Sequence, residues 1–431
     1  MTQFNEDGPP APEKLRPGAL HGLRVLDFTS IVLGPLATRF LGDHGADVIK
    51  IEAIAGDLTR ANGTVRDDGL SSMFLAMNRN KRSLAVDLKT PEGVEIAKRL
   101  IATADVIVHN IRVAGIERLG LGYEAAKAIN PRIIYCAATG FSQEGPHCDR
   151  PAFDDIIQVA SGIASLVGQQ HGQPDFMPTL IADKTAALAV VIAVMAAVVH
   201  RERTGEGQYV EVPMFETVVD FMLAEHMGGL SFEPCTEPAG YQRIMSGGRR
   251  LLQTKNGHMS ALPYTVDQWR LFFNAVGQPD MLGQLGIVSK TDVNARSGKL
   301  YAAMAEITPH KTTIEWMSLF EKLDIAATPM YSLEELPQHP QLKAVKLFQT
   351  MTHPTQGEIR TLRPTAYFSA SPQQVTRLAP ELGEHSIELM AELGYTGEET
   401  QALFARGIAA SYTAPQDPVA EAASHVIQTA S

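Results

Sequence analysis

Residues 23–52 read LRVLDFTSIVLGPLATRFLGDHGADVIKIE, and this stretch decides the fold class. Residues 23–28 form a short β-prone run. Gly34-Pro35 follows, then an apolar-periodic segment at 36–41. Proline just inside a helix start is favoured, because its missing N–H would lack a partner there anyway. Gly45 closes that helix, and 47–52 reads as the next strand. Strand, helix and strand within about thirty residues make a βαβ unit, which implies a parallel pair.

The alternation continues outward from this unit. Strands are expected at 83–87, 106–110, 133–137 and 208–213. Helices are expected at 91–104, 114–118, 123–129, 154–166 and 215–225, with a long one after 178. Such an order builds an α/β sheet wrapped by helices. Near residue 230 the texture changes: 231–241 is rich in Pro, Gly and acid. Residues 251–263 resemble a hairpin turning at Asn256-Gly257, and helices follow at 266–276, 299–307 and 312–323. A helical connector at 333–345 and closing helices within 380–407 complete the reading. The expected division is a disordered lead-in (1–18), a large α/β domain (19–225), a smaller α+β domain (226–334), a linker and C-terminal part completing the large domain (335–414), and a flexible tail (415–431).

The chain has 431 residues, 45% apolar and 20% charged, which suits a soluble globular protein of about two to three domains. A net charge of −11 argues against a nucleic-acid partner, which needs a basic face. It leaves room for an anionic ligand held by a local cluster of cations. Cys136, Cys148 and Cys235 show no CxxC spacing, so neither a disulfide framework nor a zinc site is expected, and a cytoplasmic location fits. The first residues lack the apolar core of a secretory signal. No HxxxH or HExxH pair points to a metal, and no GxSxG elbow points to a serine hydrolase.

The first strand–helix turn, 29–35, holds one glycine and no GxGxxG, so a nicotinamide cofactor is poorly supported even though Glu52 ends the second strand. Its strand ends remain a place where α/β sheets bind ligands. Residues 78–83 (NRNKRS), with Lys89 close behind, form the densest basic cluster before the small domain, and Arg112 and Arg118 form another. Such clusters are ordinarily solvated surface. At successive strand ends in an acidic protein they also look like local phosphate sites. Asp154-Asp155 reads as a helix start.

Residues 178–185 (PTLIADKT) lead into an apolar run of about fourteen residues. That is short of the roughly 18 to 20 needed to span a bilayer, so a buried core helix is expected, with no membrane association. Asp183 falls in its first turn or at its cap. The residue types alone favour a cap, since an aspartate oxygen accepts from an orphan backbone N–H. Arg201, Arg203 and Gly205 mark the far end.

Taken together, 23–35 (LRVLDFTSIVLGP), 45–52 (GADVIKIE), 80–93 (NKRSLAVDLKTPEG), 104–110 (ADVIVHN), 130–133 (NPRI) and 203–211 (RTGEGQYVE) resemble the family III CoA-transferases. That group includes formyl-CoA transferase, carnitine CoA-transferase and α-methylacyl-CoA racemase. The resemblance extends over about residues 20–400. It implies a Rossmann-like large domain with an inserted smaller α+β domain, in an interlocked homodimer. It also implies an acyl-CoA thioester and a carboxylic acid as substrates, with no permanently bound cofactor.

By the same resemblance Asp183 is the nucleophile of CoA transfer, and Asp154 is a helper of undefined role. Ile31, Val32, Leu33, Val86, Lys89, Asn110 and Arg118 match CoA-groove positions. Ala53 stands where formyl-CoA transferase has an arginine. Ser246, Gly247 and Gly248 match a substrate loop, shorter here than the glycine loop of that enzyme. The racemases of the family use a histidine where this chain has Phe153, and phenylalanine cannot shuttle a proton. Racemisation is therefore disfavoured. A non-catalytic acyl-CoA-binding paralogue is the remaining alternative, and the intact Asp183 argues against it.

Overall fold

The computed structural model describes residues 16–66, 69–245 and 250–413. The expected lead-in up to residue 15, the tail beyond 413 and the Ser246, Gly247 and Gly248 loop lie outside the described residues. The chain forms two compact units. One comprises residues up to 157, 179–218 and from 346 onward; the other comprises 158–178 and 219–345.

The first unit is built on a seven-stranded sheet. Its strands are β1 (Arg24–Phe28), β2 (Asp47–Glu52), β3 (Lys81–Val86), β4 (Val106–His109), β5 (Ile134–Thr139), β6 (Gln208–Pro213) and a short last strand, Ala409–Ala410. Strands β1 to β6 pair in parallel in the order 3-2-1-4-5-6, and the last strand caps β3 antiparallel. Period-two alternation sends Leu26, Ile49, Leu84 and Tyr135 to one face. There they form a core with Ile96, Ala97 and Leu100 of the Pro91–Thr103 helix and with Leu389 and Met390 of Ser386–Glu392.

The opposite face carries two helices packed on each other, Leu33–Asp43 and Ile181–Thr204. The second is 24 residues long and holds an 18-residue window with a mean hydropathy of 2.0, enough by length and composition to cross a membrane. One of its faces is nonetheless taken by the protein: Ala182, Ala186, Ala187, Val190, Val194 and Ala197 are buried, and the helix packs on β5 and β6. Arg201 is buried too. Its guanidinium meets Asp105 at 2.9 Å, so this cation bonds a loop side chain 96 residues away. The helix ends where the Gly205 N–H donates to the Arg201 carbonyl at 2.7 Å.

The 78–83 cluster is neither solvated surface nor an open phosphate site. Arg79 pairs with Asp43 at 2.7 Å, Lys81 with Asp27 at 2.8 Å, and Arg82 with Asp47 at 2.7 Å and Glu388 at 2.8 Å. Lys81 and Asp27 are fully buried. Every residue of strand β3 is buried, so its polar side chains have only protein to face. A buried charge persists only with a partner, and these partners come from elements far away in sequence.

Two other expectations need correction. The helix expected over 154–166 is two, Asp154–Ala160 and Ile163–His171. Between them Gly162 sits at φ +91°, a left-handed conformation that glycine adopts without steric cost. The connector at 333–345 is helical only at Leu336–Gln338 and Pro340–Ala344. An antiparallel hairpin, Phe348–His353 with Gly357–Leu362, was not foreseen.

The second unit has a three-stranded antiparallel sheet of Leu252–Thr254, Gly257–Leu262 and Ala326–Pro329. Thr254 pairs with Gly257, so the turn residues are Lys255-Asn256, one position earlier than expected. An aromatic core of Trp269, Phe272, Phe273, Trp316 and Phe320 packs beneath it. Capping boxes at Thr265 with Gln268 and Thr312 with Glu315 start the two helices that carry these aromatic residues.

Candidate active site

Strand β1 has β2 on one side and β4 on the other, so the crossovers diverge at the carboxyl ends of β1 and β4. In open parallel sheets that divergence opens a crevice. Here it is a cavity of about 320 Å³. Its walls include Ile31, Val32 and Leu33 after β1, Asn110 and Arg112 after β4, and Asp183 from the long helix. Arg150, Cys148 and Leu58 complete the rim. All of these residues belong to the first unit.

Asp183 is the third residue of Ile181–Thr204 and does not cap it. The N-cap is Leu180, with no side-chain capping bond. The capping function comes from elsewhere: Asp154, at the start of its own helix, accepts the Asp183 N–H through Oδ1 at 3.0 Å. Asp154 is 4% exposed and Asp183 8%. Burial pushes the Asp183 carboxyl up to about 7, and the charges of Asp154 and then Asp155 add to the rise. A helix N-terminus by itself favours the charged form of an aspartate in its first turn. Lost hydration and two like charges disfavour its anion more strongly. A carboxylate of that basicity is a better nucleophile than one in water, and near neutral pH a large share of it is still ionised.

The cavity brings together Ile31, Val32, Leu33 and Asn110 with Asp183. It does not include Val86, Lys89 or Arg118. Val86 is 1% exposed and packs in the sheet core, so it presents little surface to a ligand. Lys89 and Arg118 are exposed, after β3 and at the end of the Val113–Arg118 helix. Arg150 lines the cavity and was missed by sequence reasoning. It is a single cation in a loop, with no periodicity or cluster to mark it. Among the described residues His, Cys, Asp and Glu form no group able to hold a metal ion.

Buried neighbours explain two silent groups. His109 ends β4 beneath the cavity; burial holds its imidazole down at about 4, so it is neutral at physiological pH. Cys136 in β5 is pushed up to about 12 by burial and is chemically quiet.

With this geometry established, comparisons with known proteins become specific. The profile of CoA-transferase family III matches residues 20–386. A succinate–glutarate CoA-transferase of Agrobacterium fabrum is 32% identical over 398 residues, covering 87% of this chain and 95% of that one. A formyl-CoA:oxalate CoA-transferase of Escherichia coli is 30% identical, covering 89% and 98%. A crystal structure of a CAIB/BAIF family protein from Brucella suis superposes with a TM-score of 0.76 at 30% identity, covering 88% of this chain and all of that one. With the parallel sheet, the cavity at its switch point and a match across nearly the whole described chain, the protein belongs to CoA-transferase family III.

Proposed function

We propose that the enzyme moves CoA from an acyl-CoA donor to a carboxylic acid acceptor, with Asp183 as the covalent nucleophile. The Asp183 carboxylate attacks the thioester carbonyl, forming a mixed anhydride and releasing CoA thiolate. The thiolate then attacks the aspartyl carbonyl of the anhydride, giving an aspartyl-CoA thioester and freeing the donor acid. The acceptor carboxylate attacks that thioester, and thiolate attack on the acyl side of the second anhydride gives the new acyl-CoA and restores Asp183. The exchange is divided into easier steps without a metal or bound organic cofactor.

The observation that carries this reading is the buried Asp183, its carboxyl raised to about 7, in the wall of the switch-point cavity. Asp154 serves as a helper that fixes the Asp183 backbone and tunes its charge. Ile31, Val32 and Leu33 form the wall for the CoA thioester. Lys89 and Arg118 hold more distant anionic parts of CoA; substitution of either should raise the KM for acyl-CoA, and an unchanged KM removes that residue from the reading. Phe153 lines the cavity and cannot exchange a proton, which leaves α-carbon racemisation without the histidine that the racemases of the family use at this position. The named relatives act on dicarboxylates, so succinyl-CoA with glutarate or oxalate is the first donor–acceptor set to try.

The test is direct. Incubation with succinyl-CoA, then hydroxylamine or borohydride and peptide mass spectrometry, should find the adduct on Asp183. An unlabelled Asp183, or an Asp183→Ala protein with full activity, removes the mechanism.

The proposal extends to assembly: an interlocked cytoplasmic homodimer with residues 226–334 as an inserted small domain. Phe153, Ile156, Leu188 and Ile192 are all exposed, and large apolar side chains left open on a lone chain support a covering partner. Sedimentation equilibrium should give twice the chain mass, and a monomer at micromolar concentration would refute it.

A further inference from the structure

Residues 29–31, the wall facing the reactive cavity, are held in an unusual way. Ile31 sits at φ +72°. That left-handed conformation is a clear outlier for a β-branched residue. Strain of this kind persists only where the surroundings impose it, and it gathers at functional sites.

The surroundings here can be named atom by atom. The Thr29 N–H donates to Asp27 at 2.9 Å, and the Thr29 carbonyl accepts from Lys50 Nζ at 2.9 Å. The Ser30 N–H donates to Asn110 Oδ1 at 3.0 Å, while Asn110 Nδ2 donates back to the Ser30 carbonyl at 2.9 Å. The Ile31 N–H donates to Asp57 Oδ1 at 3.3 Å. Five successive main-chain polar groups are thus engaged by four side chains, and three of these, Lys50, Asp57 and Asn110, come from other parts of the chain.

Those side chains are themselves braced. Lys50 Nζ meets Asp57 at 2.9 Å, and Asp27 meets Lys81 at 2.8 Å and the Thr38 hydroxyl at 2.7 Å. The Asp57 N–H donates to Glu52 at 3.1 Å, and Glu52 also holds Arg60 and Ser83. Close packing adds a further limit: a Cβ on Gly34 would lie 2.2 Å from the Thr29 Cβ, so only glycine lets the helix start approach the loop. A network this rigid exceeds what is needed to close a strand–helix turn.

We infer that this buried network is a clamp that holds Ile31 in its strained conformation as a preset wall of the reactive cavity, and that Asn110 and Asp57 are positioning residues rather than substrate contacts. The inference rests on reading this cavity as the place of CoA transfer. One amide donor and one acceptor position of Asn110 are committed to Ser30, so its orientation is set by this loop. Asp57 joins two parts of the wall: it holds Ile31, and through its bonds to the Thr59 N–H (2.9 Å) and hydroxyl (2.8 Å) it starts the short turn carrying Leu58. Preset geometry of reacting groups is worth large rate factors, and small displacements forfeit them.

The clamp makes a prediction that simple structural support does not. Glycine takes φ +72° without help. Removing a clamp residue should therefore cost less when residue 31 is glycine than when it is isoleucine. Asn110 is partly exposed, so Asn110→Ala is the variant that keeps the fold. The experiment measures steady-state transfer from succinyl-CoA to glutarate for Asn110→Ala, Ile31→Gly and the double variant, and CoA affinity by calorimetry.

Asn110→Ala is expected to lower kcat about tenfold with the KM for succinyl-CoA and the affinity for CoA changed less than about threefold. The same change in the Ile31→Gly background should cost about threefold or less. Equal losses in both backgrounds overturn the clamp. A raised KM with unchanged kcat overturns it too and assigns Asn110 to CoA contact. Failure of the nucleophile reading appears separately, as absence of the Asp183 adduct in the unsubstituted enzyme. If no transfer is seen with this pair, the same cycle read on the release of CoA thiolate from succinyl-CoA decides: coupling between positions 110 and 31 supports the clamp, and additivity refutes it.

Discussion

Replacing Asp154 by asparagine should speed the enzyme in mild acid while leaving it unchanged above neutrality. Asp183 is raised from 3.8 to about 7, first by burial and then by the neighbouring Asp154 and Asp155 charges. Asparagine keeps an oxygen that can accept the Asp183 N–H, so the 3.0 Å bond survives and only the charge is lost. A like charge a few ångströms away ordinarily moves a carboxyl by about one to three pKa units. Burial, the larger cause here, remains, so a fall of about one, to roughly 6, is expected. At pH 6 the ionised fraction of Asp183 then rises from about 10% to about 50%, a gain of roughly fivefold. At pH 8 both proteins are about 90% ionised or more, and their rates should agree.

The assay is the burst of CoA thiolate released from succinyl-CoA, followed with a thiol reagent by stopped flow between pH 5 and 8.5. The acid limb should move down by about one pH unit. A limb that stays in place would mean that Asp154 carries no charge felt by Asp183. A limb that moves up would mean that Asp154 stabilises the anion, and the electrostatic account given above would be wrong. Asp155 is exposed, so Asp155→Asn should move the limb less, and salt should mask its effect.

Stability should report the same carboxyl with the opposite sign from a salt-bridged aspartate. The native group binds its proton more tightly than the unfolded one, so stability contributed by Asp183 is lost as pH rises from about 4 to about 7. Asp183→Asn should therefore be inactive yet more stable, by about 2–4 kcal/mol at pH 8 and by almost nothing at pH 4, in urea melts at the two pH values; a gain that does not vary with pH would contradict this. The buried ion pairs should behave unlike the surface ones. Lys81→Met, which strands the fully buried Asp27, should cost about 3–5 kcal/mol in denaturant melts. Arg99→Met, on an exposed pair with Glu95, should change stability by less than about 0.5 kcal/mol. Comparable losses would show that the Asp27–Lys81 pair is better solvated than its burial indicates.

Much of the architecture follows from local pattern. The βαβ unit at 23–52, the strands at 47–52 and 208–213, and the helix at 123–129 rest on apolar period, on Pro35 and on the glycines that end helices, all within a few residues of the elements they define. The place of Asp183 in the first turn of an apolar helix was legible for the same reason. Short-range order depends on neighbours in the chain, and the sequence prints those directly.

Only the tertiary structure decides what the charges do. The 78–83 stretch has the composition of a solvated cation cluster, and its burial depends on Asp43, Asp27, Asp47 and Glu388, which lie 35 to 306 residues away. The final antiparallel strand and the hairpin at 348–362 are short and pair with no pattern that their own residues reveal. Asp183 is the sharpest case. Its position came from the sequence, but its basicity comes from lost water and from Asp154, 29 residues earlier in the chain. Hydration and Coulomb energy depend on distance in space, and for these groups the fold alone sets that distance.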